Sequence, residues 1–153
     1  SPSKTYAAAG TYSVKLTVTD NGGLSNTKTQ SVTVGSSGGV QTYTNTTAVP
    51  IQGEVTVESP ITVSGRTGAA SATTTVKVNI SHTYIGDLKV DLVAPDNSVY
   101  VLHNRTGSSA DNIYTTYTKD LSTEQLNGTW KLRVNDNYGE ADDGTIDNWS
   151  IAF

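Results

Sequence analysis

Apolar and polar side chains alternate strictly through the stretch from Val76 to Pro95. Val76, Val78, Ile80 and His82 alternate with Lys77, Asn79, Ser81 and Thr83. Beyond Gly86, Leu88, Val90 and Leu92 alternate with Lys89, Asp91 and Val93. A period of two sends one set to a core face and the other towards water. The pattern predicts two β-strands joined by a tight corner. Gly86 supplies a permissive backbone there, and Pro95 ends the second strand because it cannot donate to a ladder. The simplest arrangement is an antiparallel pair within a β-sandwich.

The same reasoning predicts strands over residues 41–46, 61–65, 73–82, 87–94, 99–103, 113–118, 129–135 and 148–153. Ser59-Pro60, Pro95-Asp96-Asn97, Asn127-Gly128 and Asp143-Gly144 read as turns between them. Many short strands separated by turn signals imply an all-β, jelly-roll-like sandwich over residues 40–153. Trp130, Leu132 and Val134 share one face, as do Trp149, Ile151 and Phe153, and both sets are read as core. Residues 121–126 are read as one helical turn opened by Ser122. Nearer the N-terminus, Val14, Leu16 and Val18 mark a strand, Asp20-Asn21-Gly22-Gly23 a turn, and residues 27–34 a second strand. A lone hairpin of this size is marginal in water, so it calls for more strands. The sequence Gly35-Ser-Ser-Gly-Gly39 reads as a flexible linker.

Composition narrows the partners. The 153 residues carry a net charge of −4, concentrated after residue 34, where seven Lys or Arg face thirteen Asp or Glu. An acidic module without a basic stripe predicts no nucleic-acid and no membrane partner. Cysteine is absent, which removes disulfides and thiolate chemistry. Methionine is absent too, so Ser1 is expected to follow an upstream segment that carries any targeting signal. Five N-x-S/T sequons occur, at Asn45, Asn79, Asn104, Asn127 and Asn148. Asn79 and Asn148 lie within or beside predicted strands and are read as unmodified.

Catalytic chemistry finds little support. His82 and His103 are the only histidines, and nothing fixes either beside a nucleophile and an acid. His82 continues an inward face, so a hydrogen-bonded, partly buried role is expected, and His103 is read as structural. Residues 35–39 formally match G-x-S-x-G, but no helix follows, as a nucleophile elbow requires. Asp87 is read as a corner residue that accepts local amides. The chain is therefore expected to be no enzyme by itself. The best metal candidate is the acidic loop holding Asp136, Glu140, Asp142, Asp143 and Asp147 around Gly139 and Gly144. Calcium takes six to eight oxygen ligands, and a glycine-bearing acidic loop suits it. Asp111 is a weaker candidate, and a solvated acidic loop is the alternative.

Three segments in order carry a family resemblance. They are His82-Thr-Tyr-Ile-Gly86-Asp87-Leu88 with its strand to Pro95, then Val101-Leu102-His103-Asn104-Arg105 leading to Gly107 and Asp111-Asn112, then Asn127-Gly128-Thr129-Trp130 through Trp149. Together they resemble the P domain (Homo B domain) of kexin- and furin-like proteases over nearly all of residues 40–153. Asp96-Asn97-Ser98 departs from the Gly-Thr turn usual in that family, though Asn also tolerates a left-handed turn. Residues 1–34, with Tyr6-Ala-Ala-Ala-Gly10-Thr-Tyr12-Ser-Val14, resemble the C-terminal part of a PKD domain, an immunoglobulin-like sandwich. The resemblance implies a non-catalytic accessory module of a secreted bacterial protease, of serine or metallo type. It would act on the catalytic domain of the same polypeptide, aiding folding, stability or processing. Two other readings remain open: a module that binds an insoluble polymer such as collagen or a polysaccharide, using Tyr84, Tyr114 or Tyr117, and self-association through the unpaired edge of the PKD hairpin.

Overall fold

A computed structural model describes residues 3–4, 6, 10–34, 39–138 and 143–153. The chain divides into two compact units, Ser1–Gly39 and Val40–Phe153. In the first, β1 (Gly10–Thr19) and β2 (Ser25–Val34) form an antiparallel hairpin. Its turn is held by Asp20, whose Oδ1 accepts the N–H groups of Gly22 at 2.8 Å and Leu24 at 2.9 Å. One face is a hydroxyl ladder in which Thr17 meets Thr27 at 3.0 Å and Thr19 meets Ser25 at 2.7 Å. The other carries Val14, Leu16, Val18 and Val32, all exposed.

The second unit is a two-sheet sandwich built from nine strands among the described residues. They are β3 (Thr42–Asn45), β4 (Val49–Ile51), β5 (Thr56–Val63), β6 (Thr74–Ser81), β7 (Leu88–Val93), β8 (Val99–Asn104), β9 (Ile113–Lys119), β10 (Gly128–Asp136) and β11 (Gly144–Ala152). One sheet has the order β5-β10-β7-β8. The other has the order β3-β11-β6-β9, with β4 following β3 along the same edge of β11. The all-β sandwich is therefore as expected. The predicted core residues Val76, Val78, Ile80, Leu88, Val90, Leu92, Trp130, Leu132, Val134, Trp149 and Ile151 fill the space between the sheets.

Several local expectations are corrected. β6 and β7 do not pair with each other: the corner between them, a short 3₁₀ turn over Ile85–Asp87, carries the chain from one sheet to the other. Alternation reports which face a side chain takes, not which strand lies alongside. The second face of β7 does not meet water either, since Asp91 and Val93 are buried on it. Ser59-Pro60 is no turn. Pro60 lies inside β5, an edge strand, where a missing N–H leaves no interior ladder broken. β11 starts at Gly144, earlier than expected. A bulge at Asp147 resets its phase, so that Ile146 and Trp149 both point inward. Residues 121–126 form turns rather than a helical turn. Asp120 Oδ1 accepts the Ser122 N–H at 3.0 Å and hydroxyl at 2.7 Å, and Glu124 N–H reaches Leu121 O at 2.9 Å. Asn97 takes the expected left-handed conformation, with φ 75°.

Polar links also join the two sheets, among them Asn45 Nδ2 to Ser59 Oγ at 3.1 Å. Trp149 Nε1 donates to Ser59 Oγ at 3.1 Å, joining β11 to β5. At the other end His82, just after β6, meets Asp136, the last residue of β10. No helix among the described residues is long and apolar enough to cross a membrane.

On the outer face of β5 and β10, Lys131 donates to Glu58 Oε2 at 2.7 Å and Arg133 to Oε1 at 2.9 Å. The hydrogen bond from Lys131 is the main cause holding the Glu58 carboxyl below its ordinary value of 4.5. A depressed folded value adds stability that is present above the unfolded value and is lost as pH falls through the folded one. Between pH 6 and pH 3 (roughly spanning the carboxylate range), Glu58→Gln is therefore expected to lose less stability than the parent chain. Urea melts at the two pH values measure this.

Candidate functional site

The acidic end of the sandwich holds an open cleft of 390 Å³, lined by Ser81, His82, Thr83, Asp111, Asn112, Asp143, Gly144 and Thr145. Its floor is the paired ends of β6 and β11, where Ser81 lies opposite Thr145. Its wall is the segment before β9. That segment is fastened to β6 by a reciprocal pair of bonds: Asn112 N–H to His82 O at 2.9 Å, and His82 N–H to Asn112 Oδ1 at 3.0 Å. Asn112 adopts φ 59° to make this turn, a conformation Asn tolerates better than most residues.

Behind the cleft, His82 is fully engaged. Its Nδ1 accepts the Tyr84 N–H at 3.1 Å, so the ring proton sits on Nε2, which lies 3.2 Å from Asp136 Oδ2. Both side chains are completely shielded from solvent. Asp136 Oδ1 in turn accepts the Tyr138 N–H at 3.1 Å. Gly144 packs against this ring. A Cβ on it would lie 2.4 Å from His82 Cδ2 and 2.5 Å from Ser81 O, so no larger residue fits without displacing the ring or the strand.

The corner beside the cleft is laced to the loop that follows β8. Ile85 N–H reaches Ala110 O at 3.0 Å, Gly86 N–H reaches Ser108 O at 2.9 Å, and Arg105 N–H reaches Leu88 O at 2.9 Å. His103 Nε2 lies 2.8 Å from Ile85 O, and Thr106 Oγ1 lies 3.4 Å from His103 Nδ1. A Cβ on Gly86 would come within 2.9 Å of the Ser108 backbone, and one on Gly107 within 2.7 Å of Ile85. The first two resemblance segments are thus the two halves of one hydrogen-bonded unit.

Of the metal candidates, Asp111 and Asp143 line the same cleft. Asp147 lies beside it at the β11 bulge and accepts the Ser81 hydroxyl at 2.6 Å. Asp136 lies behind it, bonded to His82. Asp142 and Glu140 fall outside the described residues, as do residues 35–38 of the G-x-S-x-G match. Among the described residues no three acids, histidines or cysteines converge on one point. Apart from His82, whose ring nitrogens are engaged by Asp136 and Tyr84, the side-chain donors are oxygens and the Asn112 amide, a set that suits calcium over softer metals. Tyr114 is exposed with its hydroxyl 2.9 Å from Ser81 Oγ, while Tyr84 and Tyr117 are half-buried. Asn79 Nδ2 donates to Asn148 Oδ1 at 2.7 Å, which occupies the nitrogen a glycan would take.

The His82–Asp136 link was only half legible. The alternation places His82 inward, while the acidic loop offers Asp136 only as one carboxylate among several. The missing signal was parity: Asp136 continues the inward series of Trp130, Leu132 and Val134.

A family model described as the proprotein convertase P-domain matches residues 71–153. The chain belongs to the P-domain family. A PKD domain model matches residues 1–34. Among relatives, the leupeptin-inactivating enzyme 1 of Streptomyces exfoliatus is 56% identical over 115 residues, covering 74% of this chain and 26% of that protein. The transglutaminase-activating metalloprotease of Streptomyces mobaraensis is 43% identical over 145 residues, covering 94% of this chain and 19% of that protein. A calcium-dependent protease of Trichormus variabilis is 42% identical over 87 residues, covering 50% of this chain and 13% of that protein. This P-domain chain therefore spans about a quarter or less of the length of these relatives.

His82→Ala is expected to leave Asp136 Oδ2 buried without its donor, while Oδ1 keeps the Tyr138 N–H. The cost should be about 1–3 kcal/mol, as for a buried acceptor that loses its partner. Gly144→Ala should cost about 1–3 kcal/mol by overpacking against the same ring. Urea denaturation checks both, and a loss under 1 kcal/mol in the His82 variant would contradict the assigned bond.

Proposed function

We propose that this chain is a non-catalytic accessory module of a secreted bacterial protease. It acts on the catalytic part of the same polypeptide by supporting its folding, stability or processing. The observation that carries this reading is the P-domain match, together with relatives that are proteases several times longer than the chain. The site chemistry agrees. Each histidine has both ring nitrogens committed, His82 to Tyr84 and Asp136, His103 to Ile85 and Thr106. His82 has an acid but no hydroxyl on its ring, and His103 a hydroxyl but no acid, so neither completes a hydroxyl–imidazole–carboxylate set.

The acidic loop and the cleft it borders are proposed to bind calcium. The carboxylates support this, with Asp111 and Asp143 on the cleft, Asp147 beside it, Asp136 bonded to His82 behind it and Asp142 next in sequence to Asp143. A relative named for calcium dependence supports it too. Bound calcium would neutralise the acids gathered at this end and fix the loop between β10 and β11.

Two measurements test the proposal. Removing this chain from the full-length protease should lower the melting temperature or secreted yield of the enzyme. The kcat/KM of whatever enzyme remains folded, on a short peptide, should stay unchanged. Unaltered stability and yield would refute the accessory role. Separately, millimolar calcium should raise the melting temperature of the chain over that in chelator. Asp142→Ala combined with Asp143→Ala should abolish the gain, and identical melts in calcium and chelator would refute the metal site.

A further inference from the structure

A sheet ends in strands whose outer N–H and C=O groups have no ladder partner, and folded proteins blunt such edges with prolines, charges, bulges or breaks. Among the described residues the sandwich has four outer edges: β5 and β8 in one sheet, β9 and the β3–β4 side in the other. The β5 edge holds Glu58 and Pro60. The β8 edge carries an extra residue, because its register to β7 slips between Val90 and Asp91. A bulge of this kind bends an edge away from flat pairing. The β3–β4 edge is interrupted between Asn45 and Val49 and holds Pro50 in its second part.

The β9 edge has none of these devices. It runs for seven residues, Ile113-Tyr-Thr-Thr-Tyr-Thr-Lys119, in unbroken register with β6. It contains no Pro and no Gly, and its one charge, Lys119, is its last residue. Ile, Tyr and Thr are among the residues that suit a strand best. On its outer face Tyr114 is 60% exposed, and Thr116 and Thr118 are exposed beside it. On its inner face Ile113 is buried, but Thr115 is exposed and Tyr117 only half-buried, so cover is incomplete along this edge.

The strand is also complementary to itself. Turned about a two-fold axis that passes through Thr116 perpendicular to the sheet, two copies pair antiparallel over the whole strand. Ile113 then lies opposite Lys119, Tyr114 opposite Thr118, Thr115 opposite Tyr117, and Thr116 opposite its own copy. Opposite residues share parity, so inner face continues into inner face. Each tyrosine meets a threonine, and aromatic–β-branched pairs are favourable cross-strand combinations. The two lysines stand at opposite ends, about 20 Å apart at roughly 3.4 Å per residue, so no like charges meet.

We infer that a second copy of this chain binds along β9, extending β3-β11-β6-β9 into one sheet that runs through both copies. The open backbone groups of the two edges satisfy each other, and Thr115 and Tyr117 of each copy cover those of the other. The contact is small, so the association is weak and depends on concentration.

Sedimentation of the whole chain from about 10 µM to about 1 mM, a range that reads weak affinities, should show a monomer–dimer equilibrium. Thr116→Lys and Thr116→Glu, both at an exposed position, should keep the melting temperature of the parent chain yet sediment as monomers, because like charges meet at the axis. An equimolar mixture of the two variants should dimerise again, since opposite charges then meet there. A parent chain that stays monomeric throughout would overturn the inference. Dimers that persist undiminished in both variants would overturn it in favour of another surface, such as the N-terminal hairpin. A mixture no more associated than its components would overturn the two-fold pairing at Thr116.

Discussion

The contact between His82 and Asp136 holds the unit together at its most demanding point. It joins the end of β6 to the end of β10, and so joins one sheet to the other, where the chain itself crosses between them. Both partners are fully shielded, so neither can exchange this bond for one with water. A buried carboxylate without a partner is heavily disfavoured, and this fixes the surroundings in turn. The Tyr84 amide must meet Nδ1, the Gly144 backbone must lie flat against the ring, and Asn112 must turn with positive φ to close the other side. The cleft and the corner both lie against that one bond.

Chemistry follows from the same constraint. A histidine between an aspartate and a third group has the outline of a catalytic dyad, but here the third group is a main-chain amide. Placed this way, the two histidines brace the corner, one through Tyr84 and the other through Ile85. The glycines of the corner and the following loop have the same purpose. Gly86 and Gly107 permit backbone contacts that a Cβ would prevent, which explains why these two segments occur together.

Much of the architecture was legible in the sequence because burial in a sandwich has a period of two. Val76 to Ile80, Leu88 to Leu92 and Trp130 to Val134 declare their inward faces directly. What alternation cannot declare is adjacency. β6 and β7 follow each other in sequence and lie in different sheets, while β10 pairs with β5 and β7, which are remote from it along the chain. Pro60 and Gly144 misled for a related reason. Each carries turn chemistry, and each lies in a strand because its place, an edge for one and a close approach for the other, tolerates what a central position would not. At the site, the outward acids were visible as a cluster, but the inward one, Asp136, was not separated from them.

The first and last strands of the P-domain unit lie side by side. β3 pairs with the end of β11, and Gln41 and Phe153 exchange both of their backbone bonds, at 3.0 and 3.1 Å. The edge of that sheet therefore cannot close until the last residues have been made. At translation rates of roughly 5–20 residues per second, β3 waits about 5–20 s for its partner. During that time Tyr43, Val49 and Ile51 lack the cover that β11 supplies. The seam between the first and last strands of this unit therefore forms only once residues 149–153 have been made, and loss of those residues would strip β3 of its partner while leaving β4 paired with the start of β11.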